Sequence, residues 1–437
     1  MEKDWSRKTA VDIFNVALGA VDPYKLVQAY GEFISSTYAR ERCHKLYLVS
    51  FGKAAFTMTR ALTESSIRDM ITRGIVITKY GHSAGILAGH IEIFEAGHPV
   101  PDARGLAATK QAIHLLQDGA RQTLVLCLIS GGGSALLVAP RDNINLGEKQ
   151  QVTELLLKAG ANINELNTVR KHISAVKGGR FAEIACPAKV LSLILSDVIG
   201  DPLDVIASGP TSPDDSTFRD ALDVIEKYGL QDKIPDTVSE ILIKGSEGEI
   251  SETPKKGDPV FERVENIIIG SNKIALEAAA RRATQLGFEA IVWSSEIQGE
   301  AQNVARWLAQ KAIDIRKRKA DGKKICLISG GETTVTVRGT GIGGRNTELA
   351  LAFAESIAGE EGITLLSAGT DGTDGPTDAA GAIVDGQTVR KAIAKGRSSG
   401  ISLEHNDSYS YFKNTGELLI TGSTGTNVMD MQIILLT

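Results

Sequence analysis

The sequence lacks the cysteine patterns that build disulfide frameworks and zinc sites. Its four cysteines, Cys43, Cys127, Cys186 and Cys326, are scattered over 437 residues and form no CxxC pair. We therefore expect neither a disulfide-rich scaffold nor a structural zinc module. Cys127 and Cys326 lie inside apolar runs, where a free thiol behaves as a small buried hydrophobe.

Long apolar runs and an excess of basic charge are also missing. No stretch reaches the roughly 18 apolar residues that a transmembrane helix needs, and the charged start Met1-Glu2-Lys3-Asp4 is unlike a secretory signal. The net charge of −5 gives no basic footprint for nucleic acid. We therefore expect a soluble, cytoplasmic protein that binds small molecules and neither nucleic acid nor membranes.

Several common catalytic signatures do not occur. There is no nucleophile elbow, no HExxH pattern, no Walker motif and no protein-kinase motif set. The seven histidines are dispersed. His98 and His172 lie near glycine or basic residues, but each position favours a structural hydrogen bond over catalysis.

The length and the order of the predicted elements indicate two α/β domains. Apolar strands alternate with amphipathic helices, which predicts a parallel sheet with helices on both faces. Residues 232–259 are polar and rich in turn formers, so we place the boundary there. The predicted domains are residues 1–240 and residues 260–437.

Glycine and acidic turns follow five of the predicted strands, at the positions where open parallel sheets bind ligands. The turns are Gly52-Lys53, Ser130–Ser134, Asp197–Asp201, Gly330–Arg345 and Asp371–Asp378. If the two domains face each other, these turns line one cleft. Ser130, Gly131, Gly132, Gly133 and Ser134 form a loop whose backbone N–H groups could cradle an anion, with a tight strand–helix turn as the alternative.

The stretch from Gly330 to Arg345 predicts a second anion site. Its glycines let the backbone approach a ligand, and Gly341, Gly343 and Gly344 directly precede a helix. Arg345 suits bidentate contact with a carboxylate or phosphate, although an ion pair with Glu332 or Glu348 would explain it as well. Lys53 stands at a helix start, where it would face either an anion or solvent.

Acidic turns offer a metal ligand and a base. Asp374 lies in a loop with two further aspartates and could hold Mg²⁺ together with phosphate oxygens. Asp197 follows a buried strand and could accept the proton of a substrate hydroxyl. For both residues, turn formation or helix capping is an equally good interpretation.

A dinucleotide-binding loop is the competing interpretation of the late glycines. Residues Gly339–Gly344 formally match G-x-G-x-x-G. The preceding residues TVTV alternate like an edge strand, however, and the next predicted strand does not end in the acidic residue that the fingerprint requires. The match is therefore weak.

Six blocks of sequence, spread over both halves, carry a family resemblance. They are SGGGSALL at Ser130–Leu137, ISAVKGGR at Ile173–Arg180, SDVIGDPLDVIASGPT at Ser196–Thr211, GGETTVTVRGTGIGGRNTELAL at Gly330–Leu351, GTDGTDGPTDAAGA at Gly369–Ala382 and TGSTGTNVMDM at Thr421–Met431. Together they resemble the class II glycerate kinases, the family with a C-terminal MOFRL domain. Thr347 and Ser423 depart from the pattern expected of that family.

The resemblance implies an enzyme that uses ATP and Mg²⁺ to convert D-glycerate into 2-phosphoglycerate. It implies a Rossmann-like N-terminal domain, a smaller α/β C-terminal domain and an active site between them. Lys53 and Arg345 match the basic residues that the family uses for substrate and phosphate. As a hypothesis, Glu332 and Asp374 position Mg²⁺ and Asp197 orients or deprotonates the attacking hydroxyl.

Two other functions stay open. An NAD(P)H-dependent hydroxypyruvate reductase would use the Gly339–Gly344 match and a similar three-carbon acid. A non-catalytic sensor would bind a sugar acid or nucleotide in the cleft. The sequence also leaves the oligomeric state open, with a homodimer as one option.

Overall fold

The computed structural model describes residues 2–87, 90–320 and 322–437. The helices are α1 (Glu2–Ala20), α2 (Pro23–Ala29), α3 (Gly31–Arg40), α4 (Ala55–Thr63), α5 (Ala103–Gln117), α6 (Gly133–Leu136), α7 (Leu146–Lys158), α8 (Ile163–His172), α9 (Arg180–Ala185), α10 (Phe218–Lys227), α11 (Asp236–Ser246), α12 (Asn272–Gln285), α13 (Ala301–Arg318), α14 (Arg345–Ser356), α15 (Thr388–Ile393), α16 (Ser399–Glu404) and α17 (Ser408–Thr415). The strands are β1 (Lys45–Phe51), β2 (Ile71–Lys79), β3 (Ile91–Ala96), β4 (Thr123–Ile129), β5 (Lys189–Leu195), β6 (Val264–Gly270), β7 (Glu289–Glu300), β8 (Ile325–Thr334), β9 (Ile363–Gly369), β10 (Gly381–Asp385), β11 (Leu418–Leu419) and β12 (Asp430–Leu436).

One unit of the chain contains residues 23–196 and 201–269. Its sheet has the strand order β3-β2-β1-β4-β5-β6, and β1 to β5 pair in parallel. Every residue of β4 and β5 is buried, as expected for central parallel strands covered on both faces. In this unit the predicted Rossmann-like parallel arrangement is confirmed.

A helical layer of the same unit packs through α7, α8, α10 and α11. Its core includes Leu156, Val169, Phe218 and Leu242, each fully buried. Capping boxes begin α7, α8 and α10, so their first N–H groups are satisfied locally. Ile173, the residue that follows α8, is part of the same core.

The other unit contains residues 1–22, 197–200 and 270–437. Its sheet has the order β11-β10-β9-β12-β8-β7. Only β7 and β8 pair in parallel, whereas β12 runs antiparallel to both β8 and β9. Helix α1 belongs to this unit: the ring of Trp5 stacks on Phe288 at 5.9 Å, and Arg282 Nε donates to Asp12 at 2.8 Å.

The structure confirms the two-unit α/β class and corrects three details of it. The sequence predicts that a strand at residues 266–269 opens the second domain, but these residues belong to β6, the edge strand of the first sheet. The second sheet is mixed, because the last strand of the chain inserts between β8 and β9. The sequence also predicts one helix over residues 166–184, but the structure has two helices there, α8 and α9, separated by a turn at residues 173–179. The boundaries 1–240 and 260–437 stay a prediction for the functional domains.

The described residues also bear on membrane insertion and on the state of the cysteines. None of the helices there combines the length and apolar character that a membrane crossing needs. All four cysteines are free, and Cys127 and Cys326 are buried. Burial raises the pKa of each of these two thiols to about 12, so they pack as apolar groups rather than react.

Candidate active site

The structure brings Lys53 and the Ser130–Ser134 loop together in the unit that contains the parallel sheet. Strands β1 and β4 are neighbours whose last residues, Phe51 and Ile129, stand opposite each other. The turns that follow therefore meet: Lys53 N donates to the carbonyl of Gly131 at 2.8 Å, and Ala54 N donates to Ser130 Oγ at 3.0 Å. Two segments almost 80 positions apart thus form one surface at the carboxyl edge of the sheet.

Gly52 makes this contact sterically feasible. Its φ of +123° is open mainly to glycine, and a Cβ at this position would lie 2.2 Å from Ser130 Oγ. Gly132, with φ of +81°, has a similar role in the loop. A Cβ there would lie 2.9 Å from Cδ2 of His98 and 3.3 Å from Cγ of Lys53. His98 and Lys53 therefore flank the same glycine.

His98 is held neutral in this cluster. Burial, and then the charges of Lys53, Lys79 and His82, lower the pKa of His98 to about 4. A neutral imidazole offers one donor and one acceptor next to the glycine loop. The sequence pointed to His98 only as a structural hydrogen-bonder.

The side chain of Lys177 contacts the same loop. The sequence analysis did not identify this residue as part of the site. Its Nζ donates to the Ser134 carbonyl at 2.8 Å and to Ser134 Oγ at 3.1 Å. The side chain is 1% exposed. The sequence signal is VKGGR, but this segment falls within the helix that the sequence predicts over residues 166–184, where we expect a lysine to point into solvent.

Arg345 forms the centre of a second cluster, in the unit with the mixed sheet. Its Nε and Nη2 donate to the two carboxylate oxygens of Asp430 at 2.5 and 3.0 Å, and Nη1 lies 2.8 Å from Glu332 Oε1. Strand β12 begins at Asp430, opposite both Gly331 of β8 and Gly369 of β9. Asp430 was not predicted, because its partners come from strands about 60 and 100 positions away.

Two carboxylates face the single guanidinium of Arg345 in this second cluster. Burial alone lowers the pKa of Arg345, but Asp430 and Glu332 outweigh it, so its pKa is raised overall. Burial raises the pKa of Asp430 to about 6, against the opposing effect of Arg345. The Asp430 side chain is 1% exposed, whereas Glu332 is 46% exposed. Glu332 is therefore the carboxylate that a ligand can reach.

Asp374 caps helix α14. One of its oxygens accepts from Asn346 N at 2.8 Å, and the other accepts from Thr347 N at 2.8 Å and from Thr347 Oγ1 at 2.7 Å. Burial raises the pKa of this carboxyl. The capping alternative weighed in the sequence is thus what the structure shows. Thr347, which departs from the family pattern, is part of this cap.

The fit to Mg²⁺ differs between the two predicted ligands. The described residues contain no group of three or more His, Cys, Asp and Glu arranged to hold a metal ion. Mg²⁺ bound to nucleotide phosphates needs only one or two protein carboxylates, and the partly exposed Glu332 fits that requirement. Asp374 fits it less well, because its side chain is 2% exposed and is held against the start of α14 by hydrogen bonds.

The glycines before α14 pack against the chain rather than opening toward a ligand. Gly341 N donates to the His405 carbonyl at 2.9 Å, and Gly344 N donates to Thr347 Oγ1 at 3.0 Å. A Cβ on Gly343 would lie 2.3 Å from Ser408 Oγ. These contacts account for the glycines, and they leave the expected N–H cradle at Gly341 and Gly344 without free donors.

Asp197 lies two residues after the end of strand β5 and is partly buried. It belongs, with residues 198–200, to the unit that also contains Arg345. Its role as a base stays a prediction.

Family comparisons match both halves of the chain. A domain of unknown function, DUF4147, matches residues 9–243, and the MOFRL family matches residues 325–430. A protein of Thermotoga maritima named D-glycerate 2-kinase is 45% identical over 428 residues, which cover 98% of this chain and 97% of that protein. The chain belongs to the glycerate 2-kinase family.

The structural comparison agrees with this membership and confirms the resemblance that the six sequence blocks indicated. The crystal structure of glycerate kinase from Thermotoga maritima is 44% identical, with a TM-score of 0.90, and the match covers 99% of this chain and 100% of that one. A protein of Agrobacterium vitis is 38% identical over 434 residues, and the match covers 99% of this chain and 94% of that protein. This relative carries a provisional name as a hydroxypyruvate reductase.

Proposed function

We propose that this protein is a glycerate 2-kinase, which transfers the γ-phosphate of ATP to the 2-hydroxyl of D-glycerate. The observation that carries the proposal is the 45% identity with the D-glycerate 2-kinase of Thermotoga maritima across 98% of this chain. The two clusters built around Lys53 and Arg345 support it, because phosphoryl transfer depends mainly on positioned positive charge.

Each cluster has a separate task in this proposal. Lys53 and the Ser130–Ser134 loop bind one anionic group, and His98 contributes an uncharged polar group beside them. Arg345, held in place by Asp430, binds the other anionic group. Mg²⁺ would neutralise phosphate charge during transfer, with Glu332 as the carboxylate on this chain that fits it. The location of the active site between the two domains stays a prediction.

Asp197 is the proposed base for the 2-hydroxyl of glycerate. A carboxylate that hydrogen-bonds the hydroxyl orients it for in-line attack and can accept its proton as the new P–O bond forms. Asp374 acts indirectly in this account. By capping α14 it fixes the first residue of that helix, Arg345.

The reductase alternative is favoured by one observation, the name of the Agrobacterium vitis relative. The Gly339–Gly344 loop gives it little support, because N–H groups of that loop bond to residues 405–407. A dinucleotide fingerprint needs those groups to be directed at the pyrophosphate.

A paired assay tests the proposal. The protein is mixed with D-glycerate, ATP and Mg²⁺ and ADP release is followed; a parallel sample with hydroxypyruvate and NADH is followed for NADH loss. We expect ADP release that depends on D-glycerate and no NADH loss. NADH loss without ADP release would establish the reductase instead. Neither reaction, together with thermal stabilisation by glycerate or nucleotide, would establish a sensor.

A further inference from the structure

Lys177 is a fully buried lysine whose observed partners are all uncharged. Besides the two contacts with Ser134, its Nζ lies 3.4 Å from the carbonyl of Ala207. Among the residues that the structure describes, no aspartate or glutamate forms an ion pair with it. A buried ammonium group without a counter-charge is costly to hold in a folded protein.

Two other buried lysines in the same unit can be compared with Lys177 by their hydrogen-bond and ion-pair partners. Lys171 pairs with Asp204 at 3.2 Å and with Asp214 at 3.1 Å. Lys149 donates to the carbonyls of Arg170 and Ile173 at 3.2 and 3.3 Å, which satisfies the end of α8. Lys177 resembles Lys149 in donating to backbone carbonyls without an ion pair, but its carbonyl partners, Ser134 and Ala207, belong to two separate segments of the chain. Its hydrogen bonds therefore join two loops.

The second of these loops holds an unusual backbone. Ala207 and Ser208 have φ values of 52° and 62°, in the left-handed region that costs non-glycine residues free energy. Ser208 Oγ lies 2.8 Å from Ser134 Oγ and donates to Asn167 Oδ1 at 3.1 Å. Strained backbone of this kind persists where surrounding contacts hold it, and it concentrates at ligand sites.

The surroundings of Lys177 disfavour its charged form. Burial, and then the charges of Lys149 and Arg170, lower the pKa of Lys177 well below that of a free lysine. Ser134 is partly exposed, so a ligand can reach the loop. An anion bound there would favour the charged form of Lys177, and the charged form would in turn favour the anion.

We propose that Lys177 is the buried counter-charge of an anion site on the Ser130–Ser134 loop, and that it positions this loop against Ala207 and Ser208. The ligand is an anionic oxygen group, either a nucleotide phosphate or the carboxylate of the hydroxy acid. The inference rests on the proposed function for its choice of substrates. It goes beyond that function by assigning the charge that makes the loop selective for anions.

The test compares Lys177→Met with Lys149→Met, which also removes a fully buried lysine but one that bonds only the end of α8. The KM values for ATP and for D-glycerate are measured from pH 6 to pH 9. For Lys177→Met we expect one of the two KM values to rise at least about tenfold at pH 7, because a charge-assisted contact is lost. The affected substrate identifies the anionic group.

The pH profile separates a charge effect from a packing effect. In the wild type we expect the affected KM to rise with pH as Lys177 loses its proton, and in Lys177→Met we expect no such rise. Because the charge of Lys149 lowers the pKa of Lys177, Lys149→Met should move the rise in KM to higher pH, without the tenfold increase in KM at pH 7. Unchanged KM values in Lys177→Met, or equal changes in both variants, would overturn the proposal.

Calorimetry keeps the test independent of activity and of the stability of the variant. Binding of D-glycerate and of inorganic sulfate to the wild type is measured in two buffers of different ionisation enthalpy, which gives the protons taken up; sulfate stands in for a phosphate group because it does not itself titrate between pH 6 and pH 9. We expect net proton uptake with one of these ligands between pH 6 and pH 9. No uptake with either would contradict the proposal. If the wild type binds with uptake but phosphorylates no glycerate, the proposed function fails and the Lys177 site stands.

Discussion

Arg345 and Asp430 form a bidentate ion pair, in which the guanidinium donates to both oxygens of the carboxylate at 2.5 and 3.0 Å. The pair joins the first residue of α14 to the first residue of β12. Because Asp430 is buried and Glu332 is partly exposed, the pair fixes the direction of Arg345 while one edge of its guanidinium stays within reach of solvent. This geometry suits an arginine that binds an anionic substrate group.

Replacing Asp430 with asparagine should misdirect Arg345. The variant keeps the shape of the side chain but removes its charge, and we expect kcat/KM for D-glycerate to fall by about 100-fold, since small errors in positioning are costly in catalysis. Steady-state kinetics measures this. Asp385→Asn removes another buried carboxylate of the same sheet, at the far end of β10, and should leave kcat/KM within about twofold. Equal losses in the two variants would contradict a role for the Arg345–Asp430 pair.

His98 should make the folding stability of the protein depend on pH. Its pKa is about 4 in the folded protein and about 6.5 when unfolded, so the unfolded chain binds more protons between these values. The stability contributed by neutral His98 is complete above pH 6.5 and is lost as the pH falls toward 4. At pH 5 the loss is on the order of 2 kcal/mol.

Urea denaturation of the wild type and His98→Gln at pH 7.5 and pH 5 checks this expectation. The variant should lose less free energy of unfolding than the wild type between the two pH values. His114, exposed on α5, gives the control, since His114→Gln should behave as the wild type does. The prediction fails if His98→Gln shows the full wild-type loss.

The contact between Gly52 and Ser130 predicts an unusually damaging alanine substitution. Gly52→Ala places a Cβ 2.2 Å from Ser130 Oγ, so the turn that carries Lys53 must shift away from the loop. We expect a loss of about 2 kcal/mol or more in the free energy of unfolding and a fall of at least about tenfold in kcat/KM. Thermal denaturation and steady-state kinetics measure the two effects.

Gly160→Ala is the matched control for Gly52→Ala. Gly160 also has a positive φ, +84°, but a Cβ there meets nothing within 4 Å. The control therefore isolates the cost of the backbone conformation, about 1 kcal/mol, and should leave the kinetics unchanged. If Gly52→Ala loses no more stability and no more activity than Gly160→Ala, the close contact between Gly52 and Ser130 is not needed.

Lys53 and Arg345 should each be required for turnover. If both neutralise charge in the transition state, Lys53→Ala and Arg345→Ala each lower kcat/KM by about 100-fold or more. Lys110→Ala, on the exposed side of α5, should retain wild-type kinetics. Near-normal activity in both Lys53→Ala and Arg345→Ala would remove these residues from the mechanism.

The sequence predicted the parallel sheet well because its signals are local. Strands such as β4 and β5 are continuous apolar runs that end in glycine or polar turns. The assignment of β6 was wrong because residues 232–259, which look like a linker, contain α11 and lie before an edge strand of the same sheet. The local composition of a segment indicates how exposed it is to solvent, but it does not indicate which sheet the next strand joins.

The second cluster shows why part of the site could not be predicted. Arg345 and Glu332 are close in sequence, so the sequence alone offers their ion pair as an alternative to anion binding by Arg345. Asp430 reaches Arg345 only because β12 inserts between β8 and β9, a pairing that no local pattern encodes. Lys177 was hidden for a related reason: α8 ends at His172, and the turn after it directs the lysine inward.

Phosphorus NMR of the reaction product tests the central claim most directly. The protein is incubated with ATP, Mg²⁺ and D-glycerate, and the phosphate resonance of the product is compared with those of authentic 2-phosphoglycerate and 3-phosphoglycerate. We predict ADP and 2-phosphoglycerate in equal amounts. ADP with only 3-phosphoglycerate would contradict the assigned hydroxyl, and the absence of any phosphorylated glycerate would contradict the kinase itself.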